Sequence, residues 1–182
     1  MSLLVSKLAR FQPRLNLPEK SSSKRTESIL LFSFLRWYEK ALSLRKSKRN
    51  HIFIREIDLN GYGISDLMMF EYPDNKNKIK NQAYMGYITT FELKIKDWKK
   101  ALKQAIRYKY YSNRVIVILP QKNIKTAKFN KNIFIELNVG LWSFNKKENK
   151  LEKIFTPRFH KPLNYNAKEK VLSLIYTKFK SL

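Results

Sequence analysis

Phe91-Glu92-Leu93-Lys94-Ile95 alternates apolar and charged residues, and Asp66 sits in an earlier apolar-rich run, Gly63 to Phe70. On a strand, residues i and i+2 share a side, so Glu92 and Lys94 would stand about 6 to 7 Å apart on one face. Phe91, Leu93 and Ile95 would fill the other. A carboxylate beside an ammonium, with a second carboxylate from a neighbouring strand, is the set that metal-assisted phosphodiester cleavage requires. The acids hold a hard divalent cation, and the lysine handles charge at the reacting water or phosphate. Glu-x-Lys alone is a weak signal in a lysine-rich chain, and the spacing recurs at Glu148-Asn149-Lys150. That copy lies in a polar turn, whereas the first has apolar alternation on both sides, an upstream acid and a following helix. The competing reading of Glu92 and Lys94 is a solvated ion pair, worth little energetically.

The elements that must position these residues follow from periodicity. Residues 1–23 carry Pro13, Pro18 and Ser21-Ser22-Ser23 and read as a basic arm ahead of one domain at 24–182. Ile29, Leu30, Phe32, Phe34, Leu35, Tyr38 and Leu42 predict a helix from an N-cap at Thr26 to about Arg45, with Trp37 and Tyr38 in the core. His51 to Asp58 and Ile64 to Tyr72 predict a hairpin across Asn60-Gly61-Tyr62-Gly63, and Tyr84 to Ile95 a third strand presenting Glu92 and Lys94. Asp97 caps a predicted helix through Ser112. Arg114 to Pro120 is a β-branched run stopped by proline, as expected of a central strand buried on both faces, and strand-helix-strand order implies parallel pairing. A helix over 124–137, strands at Val139–Phe144 and Leu151–Phe155, and a basic helix over Ala167–Phe179 complete the chain.

Composition narrows the function. Lys and Arg total 38 against 14 Asp and Glu, a net +24, far beyond what solubility needs, so a polyanion and first of all nucleic acid is the expected partner. There is no cysteine, which excludes disulfides, thiol nucleophiles and zinc ribbons; His51 and His160 lie in no ligand-spaced pattern. No run approaches a membrane span, and Met1 to Lys7 is too short and too soon charged for a secretory signal, so no membrane partner and a cytoplasmic location are expected. Seven of the 14 acids fall between Glu56 and Asp97, which fits a cation site within a phosphate-binding surface and also fits ordinary solvated strand ends. Arg107-Tyr108-Lys109-Tyr110-Tyr111 interleaves cations with aromatics, suiting phosphate contact and base stacking. Lys168, Lys170, Lys178 and Lys180 offer a second backbone-contacting surface.

In the helix after the third strand, Gln104 and Tyr108 share a face and could reach the Lys94 side of the sheet. This order of parts resembles the PD-(D/E)xK nuclease superfamily, whose core runs helix, three-stranded meander, helix, strand. The likeness covers residues 26–145. The motif aspartate falls at Asp66, the E-x-K at Glu92 and Lys94, and the Gln-x-x-x-Tyr of some branches at Gln104 and Tyr108. For the first-helix glutamate Glu27 is the better match and Glu39 the fallback; Ser65 stands where the superfamily often has proline. The resemblance implies a restriction-endonuclease-like α/β fold (αβββαβ) with a mixed central sheet of four to six strands flanked by helices. It implies a Mg²⁺-dependent nuclease, with Mn²⁺ substituting, acting on DNA ahead of RNA and as an endonuclease ahead of an exonuclease, alternatives that the residues leave open. Asp66, Glu92 and the Leu93 carbonyl would hold the metal, with Glu27 acting through water. Lys94 would orient or deprotonate the attacking water, and Gln104 and Tyr108 would position it. Cutting both strands needs two sites, so a homodimer or larger assembly is in keeping with this reading. The alternative is a non-catalytic nucleic-acid-binding protein or a subunit needing a partner.

Overall fold

Six strands form one open mixed sheet in chain order, β1 (Arg49–Leu59), β2 (Gly63–Pro73), β3 (Tyr87–Leu93), β4 (Arg114–Pro120), β5 (Gly140–Asn145) and β6 (Lys150–Phe155). β1-β2-β3 is an antiparallel meander, β3-β4 and β4-β5 pair in parallel, and β5-β6 closes antiparallel. The computed structural model describes residues 22–44, 49–59, 61–73 and 86–180, without the side chains of 22–25, 176 and 178–180. The proposed arm up to residue 21, most of the basic loop before β1, the polar connection before β3 and the Lys178 and Lys180 side chains lie outside the described residues.

The helices are α1 (Ser22–Ser43), α2 (Trp98–Tyr108), α3 (Lys125–Phe129), α4 (Lys131–Glu136) and α5 (Tyr165–Lys180), with a 3₁₀ turn at Gln121–Asn123. α1 covers one face of the sheet. Its Leu30, Leu31, Phe34, Leu35 and Tyr38 pack on Leu67, Met69, Phe91, Leu93, Ile116, Ile118, Trp142 and Phe144. Phe34 is fully buried, with ring centroids 5.3 Å from Tyr38, 5.5 Å from Phe91 and 5.8 Å from Phe144. The other face is covered mainly by α2 and α5, with Phe134 of α4. β4 is sealed between the two layers from Val115 to Leu119, as its unbroken apolar run predicts.

Several expected boundaries move, each for a local reason. α1 begins before Thr26, because Ser22 to Arg25 contain no helix breaker. α2 stops at Tyr108 rather than Ser112: the amides of Lys109, Tyr110 and Tyr111 turn to carbonyls three residues back, tightening the end into a 3₁₀ turn. The single helix expected over 124–137 is two short ones. Asn130 leaves helical geometry and its side-chain amide donates to the Thr126 carbonyl at 2.8 Å, competing with the backbone ladder. Phe129 there is 90% exposed, so its place in the apolar period did not mean burial. β3 ends at Leu93, and Lys94 follows it, still donating its amide to the Ile118 carbonyl at 3.2 Å.

The hairpin register aligns the acids. β1 and β2 turn through Gly61 and Gly63, both at positive φ (91° and 85°), which glycine adopts without steric cost. Leu59 pairs with Gly63 and Arg55 with Leu67, which sets Glu56 level with Asp66; Leu67 pairs with Phe91, which sets Asp66 level with Glu92. Three carboxylates therefore lie in one row across β1, β2 and β3. Glu56 sits at φ 51°, unusual for a residue with a side chain. Ile52 and Ile54 before it, and Ile57 and Leu59 after it, enter the same core cluster, so the alternation of the strand shifts by one there.

Candidate active site

Asp66 and Glu92 of this row meet Lys94 at the carboxyl end of β3, while Glu56 pairs with Arg55 at 3.5 Å. Lys94 Nζ stands 2.8 Å from Glu92 Oε1, 3.9 Å from Asp66 Oδ2 and 3.8 Å from Glu27 Oε2, which α1 carries past the strand end. It also donates to the Leu93 carbonyl at 3.3 Å. Asp66 Oδ2 is pinned by the Leu93 amide at 2.7 Å, so backbone geometry, not side-chain chance, orients it toward β3. Glu92 is wholly buried, while Asp66 and Glu27 keep about a third of their side chains exposed (32% and 31%), which opens the cluster to solvent on one side.

The structure gathers Asp66, Glu92, Lys94 and Glu27 as the sequence anticipates, although Lys94 reaches Glu92 from beyond the strand rather than from within it. Of the two first-helix glutamates, Glu27 reaches Lys94; Glu39, farther along α1, is half-buried, and burial raises its carboxyl. Tyr108 bonds Glu92 rather than Lys94. Its hydroxyl lies 2.8 Å from Glu92 Oε2 and 2.7 Å from the Ile64 carbonyl. Gln104, one turn earlier on the same face, is half-buried, and its Oε1 has no hydrogen-bond partner among the described residues. Glu56 belongs to the acidic stretch, and no local pattern around it marks it as a site residue. The hairpin turn could have found it, since pairing outward from Leu59 and Gly63 sets 56 beside 66.

Charge balance explains the protonation states. Burial pushes the Glu92 carboxyl up to about 7, with Asp66 adding repulsion, and the Lys94 ammonium and Tyr108 hydroxyl only partly oppose this. Asp66 is also raised, by burial first, against the pull of Lys94 and the Leu93 amide; Glu27 and Glu56 repel its charge further. Burial disfavours the Lys94 charge, yet Asp66, Glu92 and Glu27 outweigh it and hold the ammonium above its ordinary value. Lys94 is thus a resting cation. Tyr108 is raised by burial and by Glu92, so it stays a hydroxyl. The hydroxyl has one proton for two acceptors, so Glu92 and the Ile64 carbonyl share it and neither is fully satisfied.

Tyr108→Phe should accordingly lower the unfolding free energy by about 1–3 kcal/mol, because it strips the donor shared by the buried Glu92 carboxyl and the part-buried Ile64 carbonyl. Urea denaturation reads this directly, and an unchanged midpoint removes the hydroxyl from the account.

The donor set fits a hard divalent cation. All of it is oxygen, three carboxylates converge on one ammonium, and the buried Glu92 Oε1 has that ion pair but no aligned hydrogen-bond donor. Among the described residues no three acidic or histidine side chains close into a metal cage. A cation here would rest on Asp66, Glu92 and the Leu93 carbonyl with water, the sparse protein ligation Mg²⁺ commonly has.

The expected nucleic-acid contacts divide. Tyr108 and Tyr111 are fully buried and cannot stack on bases, leaving Arg107 and Tyr110 exposed, with the Tyr110 ring 5.2 Å from Tyr62. The Lys109 ammonium donates to the Leu137 carbonyl at 2.7 Å and that of Lys168 to the Gly86 carbonyl at 3.2 Å; burial lowers both. Lys170 is exposed. No family model and no curated protein matches the chain. No helix among the described residues is long and apolar enough to cross a membrane.

Proposed function

We propose that this chain is a Mg²⁺-dependent nuclease with a restriction-endonuclease-like core, hydrolysing phosphodiester bonds of DNA as an endonuclease. One observation carries the reading: the carboxylates of Glu27, Asp66 and Glu92, drawn from α1, β2 and β3, converge within 4 Å of the Lys94 ammonium at the carboxyl end of β3. The order α1, β1-β2-β3 meander, α2, β4 supports it, since it is the order of parts in the PD-(D/E)xK superfamily. The net charge of +24 supports a polyanionic substrate.

In this reading Asp66, Glu92 and the Leu93 carbonyl hold Mg²⁺, and Mn²⁺ substitutes. The ion, when bound, neutralises charge on the scissile phosphate and acidifies water. Asp66 is kept in place by the Leu93 amide, and Glu92 by Tyr108. Lys94 enters as an ammonium, so it orients the attacking water and stabilises charge developing on the phosphate; three carboxylates oppose its becoming the free amine that a general base must be. Glu27 stands close enough to act on the metal through water.

The test is cleavage of supercoiled and linear DNA by the wild type with Mg²⁺, with chelator, and beside Asp66→Ala. Chelator-sensitive cutting that Asp66→Ala loses by about 10³-fold is expected. A wild type that binds DNA and never cuts in Mg²⁺ or Mn²⁺ leaves a non-catalytic nucleic-acid-binding protein, or a subunit needing a partner.

A further inference from the structure

α2 presents a stripe of like charge that its own helix disfavours. Lys99, Lys100, Lys103 and Arg107 are its strongly exposed positions, with exposed Lys96 just before it. At 3.6 residues per turn the four fall within an arc of about 100°, opposite the buried Trp98, Ala101, Ala105 and Tyr108. Lys99, Lys103 and Arg107 follow one another at i,i+4 spacing, which is repulsive for equal charges. Lys99 and Lys100 lie in the first turn, at the positive end of the helix dipole, where no acid balances them. Asp97 is the one carboxylate of this stretch, and it is engaged in capping through the Lys100 amide at 2.8 Å.

None of the five cations makes an ion pair among the described residues. Other lysines are used internally, as Lys109 and Lys168 are on carbonyls and Lys128 on Glu152. The stripe also flanks the acids. α2 starts four residues after Lys94. The Arg107 guanidinium lies against Gly63, three residues before Asp66.

We propose that the exposed face of α2 is the surface that binds the sugar-phosphate backbone of the nucleic-acid strand lying in the acidic site, a proposal that rests on the nucleic-acid part of the reading above. Lys99, Lys103 and Arg107 rise about 6 Å from one to the next, a ladder for successive phosphates rather than a point charge. A bound polyanion relieves both the mutual repulsion and the unfavourable placement at the dipole. Seven residues, Lys94 to Lys100, then hold both the chemistry and the first contacts on the strand.

The test is binding alone, with chelator and no divalent ion, of a mixed-sequence DNA duplex and of its single strand, across a salt series. The variant K99Q/K103Q/R107Q is compared with K40Q/K146Q/K147Q, which removes the same charge from exposed positions on α1 and the β5-β6 turn. Circular dichroism and a melting curve check that each folds. The α2 variant should weaken binding about 100-fold near 0.1 M salt and shallow the log-log salt slope by about 2 to 3. The control should change affinity only a few-fold. Equal losses in both variants overturn the proposal, because the charge then acts as a diffuse cloud, and so does an unaffected α2 variant. Loss of binding to phosphatidylserine vesicles but not to DNA overturns it in favour of a membrane surface. DNA that binds through α2 and is never cut defeats the nuclease reading and leaves this proposal standing.

Discussion

Lys94→Ala should slow DNA cleavage by at least about 10³-fold at saturating Mg²⁺ while leaving DNA binding nearly intact. Among the described residues the ammonium is the one positive group that Glu27, Asp66 and Glu92 share, at 3.8, 3.9 and 2.8 Å. Without it the carboxylates repel one another, and Glu92, already raised to about 7, takes up a proton more readily still. Protonation limits the loss of stability that an unpaired buried charge would otherwise bring. The distinguishing readout is the split between steps: single-turnover cleavage falls, and Mn²⁺ binding followed by calorimetry persists at pH 8. A variant cutting at the wild-type rate would place the chemistry elsewhere. One losing both Mn²⁺ and DNA would mean that Lys94 chiefly holds the fold together.

Glu92→Gln should abolish cleavage to a similar degree and yet stabilise the metal-free protein at pH 8 by about 3 kcal/mol. The sign follows from the direction of the shift. The folded carboxyl is raised above its ordinary 4.5 to about 7, so folding retains a proton that the unfolded chain has lost. The stability from that proton is fully present below about pH 4.5 and is lost as pH rises toward 7. Above that, the native state carries a buried charge that Lys94 and Tyr108 do not fully offset. Glutamine never ionises, can still accept from Tyr108, and leaves Lys94 with Asp66 and Glu27. Chemical denaturation at several pH values should show the advantage vanishing as pH falls. Added Mg²⁺ should reverse the order at pH 8, since a metal held by Glu92 stabilises only the wild type. Cleavage by the wild type should fall about tenfold per pH unit below 7, as protons compete for the same oxygen. A variant less stable than the wild type at pH 8 would show that the ion pair with Lys94 outweighs the burial of Glu92.

These outcomes bear on why the site was partly legible in the sequence. The alternation around Glu92 and the apolar stretch about Asp66 record that these acids interrupt strands that are otherwise core, and a charge placed there at a cost of stability points to use. Glu148 and Lys150, with the same spacing, lie exposed at the β5-β6 turn. The aromatic and basic run at 107–111 misled because its helix buries two of three tyrosines. Lys109 and Lys168 each turn an ammonium inward onto a carbonyl along a long aliphatic stem, which no count of charges reveals.

The sequence by itself determined the positive charge, the lack of thiol chemistry, the buried β4 and the local pattern that sets Glu92 and Lys94 side by side. All of these are properties of composition or of periods only a few residues long. The tertiary structure alone decided that Glu27 rather than Glu39 reaches Lys94, that Tyr108 answers to Glu92, and that Glu56 aligns with Asp66 across the hairpin. Those depend on strand register and on how α1 and α2 cross the sheet. Packing of Phe34 among Tyr38, Phe91 and Phe144, and of Trp98 on Phe134, helps set both, and such contacts join residues that no local period connects.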